Sequence, residues 1–146
     1  MSTTTDDPSS YRLATTVVPH RYRLELTPDL EAATFAGTAE IDLTVQEPVD
    51  HITLNAAELD ITSAEVTEGS DRGRTLATTL VDLDDEEERA TLTFSEALTP
   101  GPATLRLTFT GILNDKLHGF YRSSFTDDDG IEHVIATTQF EPADAR

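Results

Sequence analysis

Apolar and polar side chains alternate with a period of two along most of this chain. The pattern is clearest over Phe35–Val45 and Ala103–Phe109, and a shorter stretch alternates over Tyr22–Leu26. Such alternation is typical of β-strands that have one buried face and one solvated face. No helical period persists long enough to compete with it. The pattern therefore predicts an all-β protein.

Turn-forming residues divide the rest of the chain into six shorter strands. Clusters of Pro, Gly, Asp and Ser separate the apolar stretches at short intervals. Strands at this spacing, without helices between them, predict antiparallel sheets packed as a β-sandwich. The six predicted strands are His51–Leu54, Leu59–Val66, Thr75–Val81, Ala90–Phe94, Gly119–Phe125 and Ile131–Thr138.

The two ends of the chain differ from its β-rich middle. Residues 1 to 14 are rich in Thr, Ser and Asp, with almost nothing to bury, and are predicted to form a disordered leader. At the other end, Pro142 suits the first turn of a helix that starts near Glu141. Between these ends the chain has the size of one ordinary domain.

The charge balance excludes two classes of partner. Lys and Arg number 10 against 28 Asp and Glu, which gives a formal net charge of −18. Such a surface repels phosphate backbones and anionic lipid headgroups, so neither nucleic acid nor a membrane is expected as a partner. The chain has no cysteine and no secretory signal at its start. A cytoplasmic location is therefore predicted.

Two acidic runs, over residues 82–88 and 127–129, could in principle gather a calcium ion. Neither has the alternate-position ligands, central glycine and distant glutamate of a tight calcium loop. Solvated turns between strands are the preferred interpretation of both.

The residues offer no evident catalytic or metal site. The four histidines are scattered, and no two have the one-turn spacing that a zinc-binding helix requires. Glu132 and His133 are adjacent on a predicted strand, where neighbouring side chains face opposite sides. No nucleophile elbow or phosphate-binding glycine loop is present. We therefore expect no metal bound by this chain and no catalytic residue in it.

Three segments resemble the N-terminal domain of the M1 zinc aminopeptidases. The first is Pro19-His-Arg-Tyr-Arg-Leu-Glu-Leu26, followed by Phe35-Ala-Gly37. The second runs from Phe109-Thr-Gly111 through Asn114-Asp115 to Gly-Phe-Tyr-Arg-Ser, and the third is Ala136-Thr-Thr-Gln-Phe-Glu-Pro-Ala-Asp-Ala-Arg146. The resemblance covers nearly all of residues 15 to 146. One departure is Phe125, where many relatives carry tyrosine.

The resemblance implies a saddle-shaped β domain over residues 15–141 that packs on a zinc-binding catalytic domain. Residues 142–146 would begin the segment leading into that domain. The zinc-binding helix and the family's Gly-Ala-Met-Glu-Asn motif are absent from this sequence. A fragment that ends before the catalytic domain is therefore expected, and it would be inactive alone.

The resemblance also implies a substrate-binding role for Glu141 and Gln139. In relatives, the matching glutamate helps to bind the free α-ammonium of a peptide, and the matching glutamine lines the pocket for the first residue. Residues two apart in an extended segment project to one side, which leaves Phe140 as an anchor behind them. The competing interpretation of Glu141 is an ordinary helix start, where the helix dipole favours a carboxylate.

Two other functions stay open at this stage. The same fold could serve as a non-catalytic scaffold or protein-interaction module, because fold alone does not determine function. A carbohydrate-binding β-sandwich is the weaker alternative, since the chain has no tryptophan and only three tyrosines.

Overall fold

Nine antiparallel strands account for almost all of the regular structure in the computed structural model, which describes residues 12–69 and 73–140. Seven strands form one sheet in the order β1-β2-β7-β4-β5-β6-β3, and β8 pairs with β9 in a separate hairpin. No helix, and so no helix able to cross a membrane, occurs in the described residues. The strands are β1 (Val17–Asp29), β2 (Thr34–Val45), β3 (Val49–Asn55), β4 (Leu59–Glu68), β5 (Thr75–Asp84), β6 (Arg89–Leu98), β7 (Gly101–Ile112), β8 (Gly119–Thr126) and β9 (Glu132–Gln139).

The seven-stranded sheet curls over on itself through β5. The first residues of this strand, Thr75–Ala77, pair with β4. From Thr78 onward the strand pairs with β6 instead, with a register shift between Thr78 and Leu80. Because β5 belongs to both halves, the two halves of one sheet enclose a common core, as two sheets do in a sandwich. The predicted all-β antiparallel fold is confirmed, with one curled sheet supplying both layers.

The core lies between these two halves. Alternate residues of β2 and β7 meet residues of β3 and β6 in one apolar cluster, and Leu92, Leu98 and Leu105 have at most 1% of their surface exposed. The alternation predicted for Phe35–Val45 and Ala103–Phe109 therefore faces the core as expected. Each such leucine stabilises the fold by about 1.5–3 kcal/mol relative to an exposed position.

Burial of the Tyr22–Leu26 stretch was predicted wrongly. The register with β2 places Tyr22, Leu24 and Leu26 on the core face, opposite Ile41, Ala39 and Gly37. Yet these three side chains are 58%, 61% and 38% exposed. The reason is that β1 and β3 are the two edges of the sheet, and a groove of about 460 Å³ lies between them. The alternation is real, but no second layer covers β1 in the described structure.

Two Phe-x-Gly sequences, on β2 and β7, pack against each other where β2 begins and β7 ends. Phe35 is paired with Gly111, and Phe109 is paired with Gly37. Each ring lies across the opposite glycine, because a Cβ on Gly111 would come within 2.6 Å of Phe35 Cε1, and one on Gly37 within 2.6 Å of Phe109 Cζ. The two rings meet edge-on with their centroids 6.4 Å apart. Glycine is therefore required at both positions by close approach of an aromatic ring.

The first prediction concerns this exchange of rings and glycines. Gly111→Ala should lower the free energy of unfolding by about 1–3 kcal/mol, because the added methyl group must displace the Phe35 ring. Thr110→Ala, at an exposed position of the same strand, should change it by less than about 0.5 kcal/mol. Urea denaturation monitored by circular dichroism measures both. Equal midpoints for Gly111→Ala and the parent chain would contradict the steric argument.

At the opposite end of the sheet, Arg74 links three segments. Its guanidinium donates to both carboxylate oxygens of Glu68 at 3.2 Å, to Glu96 at 2.6 Å and to the carbonyl of Ala97 at 3.1 Å. Burial raises the pKa of Glu68, but the N–H of Thr99 and the guanidinium outweigh it and hold that pKa below its usual value. The carboxylate thus joins the ends of β4, β5 and β6.

Candidate functional site

The predicted site residue Gln139 is the last residue of β9, in the hairpin that β9 forms with β8. Directly opposed residues of an antiparallel pair project to the same face. One face of the hairpin carries Phe120 and Ala136, which pack against the core. Gln139 pairs with Gly119, and both lie on the other face, which is directed away from the core. The Gln139 side chain is exposed. We call this the outward face of the hairpin. Its members also include Tyr121, Ser123, Phe125, His133, Ile135 and Thr137.

Phe120 fixes the hairpin to the sheet. Its ring meets Phe35 edge-on with a centroid separation of 5.1 Å, so the ring that covers Gly111 also holds the start of β8. Such an aromatic pair contributes about 0.5–1.5 kcal/mol beyond its buried area. The position of the outward face therefore depends on the Phe-x-Gly exchange in the sheet.

The loop before β8 is ordered by Asn114, the first residue of the Asn-Asp pair in the second family-like segment. The side chain of Asn114 accepts the N–H of Lys116 at 2.9 Å and donates to the carbonyl of His118 at 3.2 Å. Its carbonyl accepts the N–H of Arg122 at 2.8 Å, a bond from the loop into the hairpin. This gives a physical reason for the Asn in that segment: it closes the loop and aligns β8.

Phe140 lies on the other side of the chain from Gln139. It is 44% exposed and lines a groove of about 520 Å³ between the hairpin and the sheet, together with Leu24, Phe35 and Phe120. Glu141, the second predicted site residue, and the helix start predicted there lie outside the described residues, as do 142–146 and residues 1–11 of the predicted leader.

The far end of the hairpin is closed by Asp127. One carboxylate oxygen accepts the N–H groups of Asp129 and Ile131 at 3.0 and 2.9 Å, and the other lies 2.7 Å from Nε2 of His133. The His133 ring stacks on Phe125 with centroids 5.2 Å apart. The hydrogen bond with His133, and then that with the Ile131 amide, holds the pKa of Asp127 below its usual value against a weaker effect of desolvation. Residues 127–129 thus form a turn stabilised by hydrogen bonds.

The second prediction follows from the lowered pKa of Asp127. A carboxylate whose pKa is lower in the folded state stabilises that state above its unfolded pKa of about 4, and the contribution is lost as the pH falls through the folded pKa. The stacking of His133 on Phe125, measured by NMR as a ring-current shift, should therefore diminish as the pH falls below about 4. Asp127→Ala should reduce that shift already at neutral pH.

A matched control for this prediction is Asp128→Ala, which removes the same charge from the neighbouring residue. The ring-current shift of His133 should be retained in that variant. An equal loss of the shift in both variants would show that net charge, rather than the Asp127 contacts, orders the turn.

The described residues do not provide a metal site. No group of three or more His, Asp or Glu side chains within residues 12–69 and 73–140 could hold a metal ion. A zinc ion of the kind bound by M1 aminopeptidases therefore does not fit the side chains described here, and we assign no step to a metal bound by them.

The curled antiparallel sheet and its appended hairpin define an all-β domain. The chain matches the family "Peptidase M1 N-terminal domain" over residues 18–146 and belongs to that family. This confirms the resemblance drawn from the sequence.

Curated relatives of the chain are aminopeptidases. It is 46% identical over 92% of its length to Aminopeptidase M1 of Arabidopsis thaliana, of which it covers 15%. It is 40% identical to Aminopeptidase M1-A of Oryza sativa subsp. japonica, with the same two coverages. It is 37% identical to the Puromycin-sensitive aminopeptidase of Caenorhabditis elegans, with 92% of the chain and 14% of the relative covered. The chain thus spans about 15% of the length of the curated relatives it matches.

Proposed function

We propose that this chain is the substrate-recognising N-terminal domain of a zinc aminopeptidase that removes N-terminal residues from peptides. The observation that carries the proposal is the placement of Gln139. It stands at the end of β9, on the outward face of the hairpin, two residues before Glu141. A side chain held there by a hairpin that is itself anchored through Phe120 is suited to line a cleft formed with a second domain.

The chemistry of the two side chains suits recognition of a peptide N-terminus. A carboxylate such as that of Glu141 makes a charge-assisted hydrogen bond to an α-ammonium group. An internal peptide amide carries no such charge, so the carboxylate selects free N-termini. The amide of Gln139 offers both a donor and an acceptor to the first residue of the substrate.

The remaining parts of the enzyme would come from its catalytic domain. In this proposal that domain is the partner of the chain and would bind the zinc ion, whose chemistry there would be the activation of water. The chain alone would be inactive. Phe125 and Ile135 support an apposed protein surface, because they leave about half of their surface exposed on the outward face that carries Gln139. A cytoplasmic location remains part of the proposal.

The third prediction tests the two substrate-binding residues in the full-length enzyme. Glu141→Ala should lower kcat/KM for aminoacyl-coumarin substrates by roughly 10- to 100-fold, the effect of losing a hydrogen bond to a charged group. Gln139→Ala should lower it by roughly 2- to 10-fold, because its hydrogen bonds are neutral on the protein side.

The matched control is Thr138→Ala, whose side chain projects to the opposite face of β9. This variant should keep the parent kcat/KM. Parent-like kinetics in Glu141→Ala would overturn the amine-binding role. A loss in Thr138→Ala as large as that in Gln139→Ala would overturn the assignment of the outward face to the substrate.

A second candidate function is a non-catalytic interaction module built on the same fold. The observation that favours it is exposed apolar surface beyond the hairpin, at Ile112 (68% exposed) and Leu117 (65% exposed). Assay of the product of a reading frame extended past Arg146, with added zinc, separates the two functions. Peptidase activity in that product supports the enzyme, and its absence supports the module.

A further inference from the structure

The turns at one end of the sheet bring many carboxylates together. The β1–β2, β3–β4 and β5–β6 turns and the β7–β8 loop all lie at this end, because Leu59 pairs with Gly111 and Asn55 pairs with Arg89. Backbone bonds of 2.8–2.9 Å link Ala56 to Glu88 and Leu113 to Ala33. We call this the acidic end. Its ten exposed carboxylates belong to Asp29, Glu31, Glu58, Asp60, Asp84, Asp85, Glu86, Glu87, Glu88 and Asp115.

Few basic side chains are available to offset these charges. The whole sequence has a single lysine, Lys116, and nine arginines against 28 acidic residues. In the same four turns the basic residues are Arg89 and Lys116, and Lys116 lies 4.0 Å from Glu58. The strongest ion-pair groups lie elsewhere: Arg23 bonds to Glu40 on β1 and β2, and Arg74 bonds to Glu68 and Glu96 at the opposite end.

Exposed like charges at this density oppose folding. Neighbouring strands are about 5 Å apart, so adjoining turns are about 5–10 Å apart, a separation comparable to the screening length of about 8 Å at 0.15 M salt. At 1 M salt the screening length falls to about 3 Å, and most of this repulsion disappears. Self-repulsion at high net charge is known to destabilise compact states.

We propose that this domain is built to fold in concentrated salt, where monovalent cations screen the carboxylates of its acidic end. The inference stands apart from the proposed peptidase function, since it rests on charge and topology alone. Solubility by itself does not require ten carboxylates on four adjoining turns of one end, whereas a fold that gains stability as the ionic strength rises is expected from that arrangement.

The test is thermal unfolding of the 146-residue chain in potassium chloride, followed by circular dichroism. Between about 0.1 M and about 2 M salt we expect Tm to rise by roughly 10 °C. Sucrose, which stabilises proteins by exclusion from their surface without screening charge, serves as the control solute. A Tm that does not depend on potassium chloride, a rise reproduced equally by sucrose, or a chain unfolded at every salt concentration would overturn the proposal.

Two triple variants locate the effect. Asp85→Asn/Glu86→Gln/Glu87→Gln should raise Tm at about 0.1 M salt and flatten its dependence on salt, because three unscreened charges are removed from the acidic end. Glu40→Gln/Glu68→Gln/Glu96→Gln removes the same charge from ion-paired positions, and should instead lower Tm at low salt and keep the steep dependence. Equal slopes in the first variant and the parent chain would show that the acidic end is not responsible.

Discussion

The reciprocal contact between two phenylalanines and two glycines is the constraint on which the rest of this domain depends. Phe35 covers Gly111, Phe109 covers Gly37, and the pairing of β2 with β7 brings all four together where β2 begins and β7 ends. Any side chain at either glycine would displace a ring. The Phe35 ring also contacts Phe120. One aromatic side chain therefore packs within the sheet and holds the hairpin against it.

The hairpin of β8 and β9 is held by this packing, and its outward face is therefore exposed in a defined orientation. Because Phe120 and Ala136 face the core, the alternate residues of β8 and β9 must face outward, and Gln139 is among them. The loop closed by Asn114 sets where β8 begins, and the Asp127 contacts close the far end. These contacts fix where Gln139, the last residue of β9, lies on the outward face. The same topology gathers the acidic turns at the end where the hairpin is attached.

Alternation and turn residues together predicted nine strands, because half-buried strands leave a period of two that turn residues interrupt, although β1 begins five residues before the predicted Tyr22–Leu26 stretch. It also placed the Phe35–Val45 and Ala103–Phe109 faces correctly. Burial of Tyr22 and Leu24 was not predictable, since alternation shows which residues share a face but not whether a second layer covers it. The contact between the two Phe-x-Gly sequences was also not predictable from the sequence. The partners are about 74 positions apart in the chain, and only the register of β2 against β7 brings them together. For the site, the resemblance named Gln139 and Glu141, whereas the outward orientation of Gln139 depends on which hairpin face meets the core.

The most direct test of this account is amide hydrogen exchange in Phe35→Leu, which keeps an apolar side chain over Gly111 but removes the ring that contacts Phe120. In this variant we expect the amides of β8 and β9 to lose protection from exchange, while the amides in the β4–β7 pairing keep most of theirs. Unchanged protection in the hairpin would contradict the claim that Phe35 seats it, and uniform loss throughout the sheet would show that the ring acts on global stability alone.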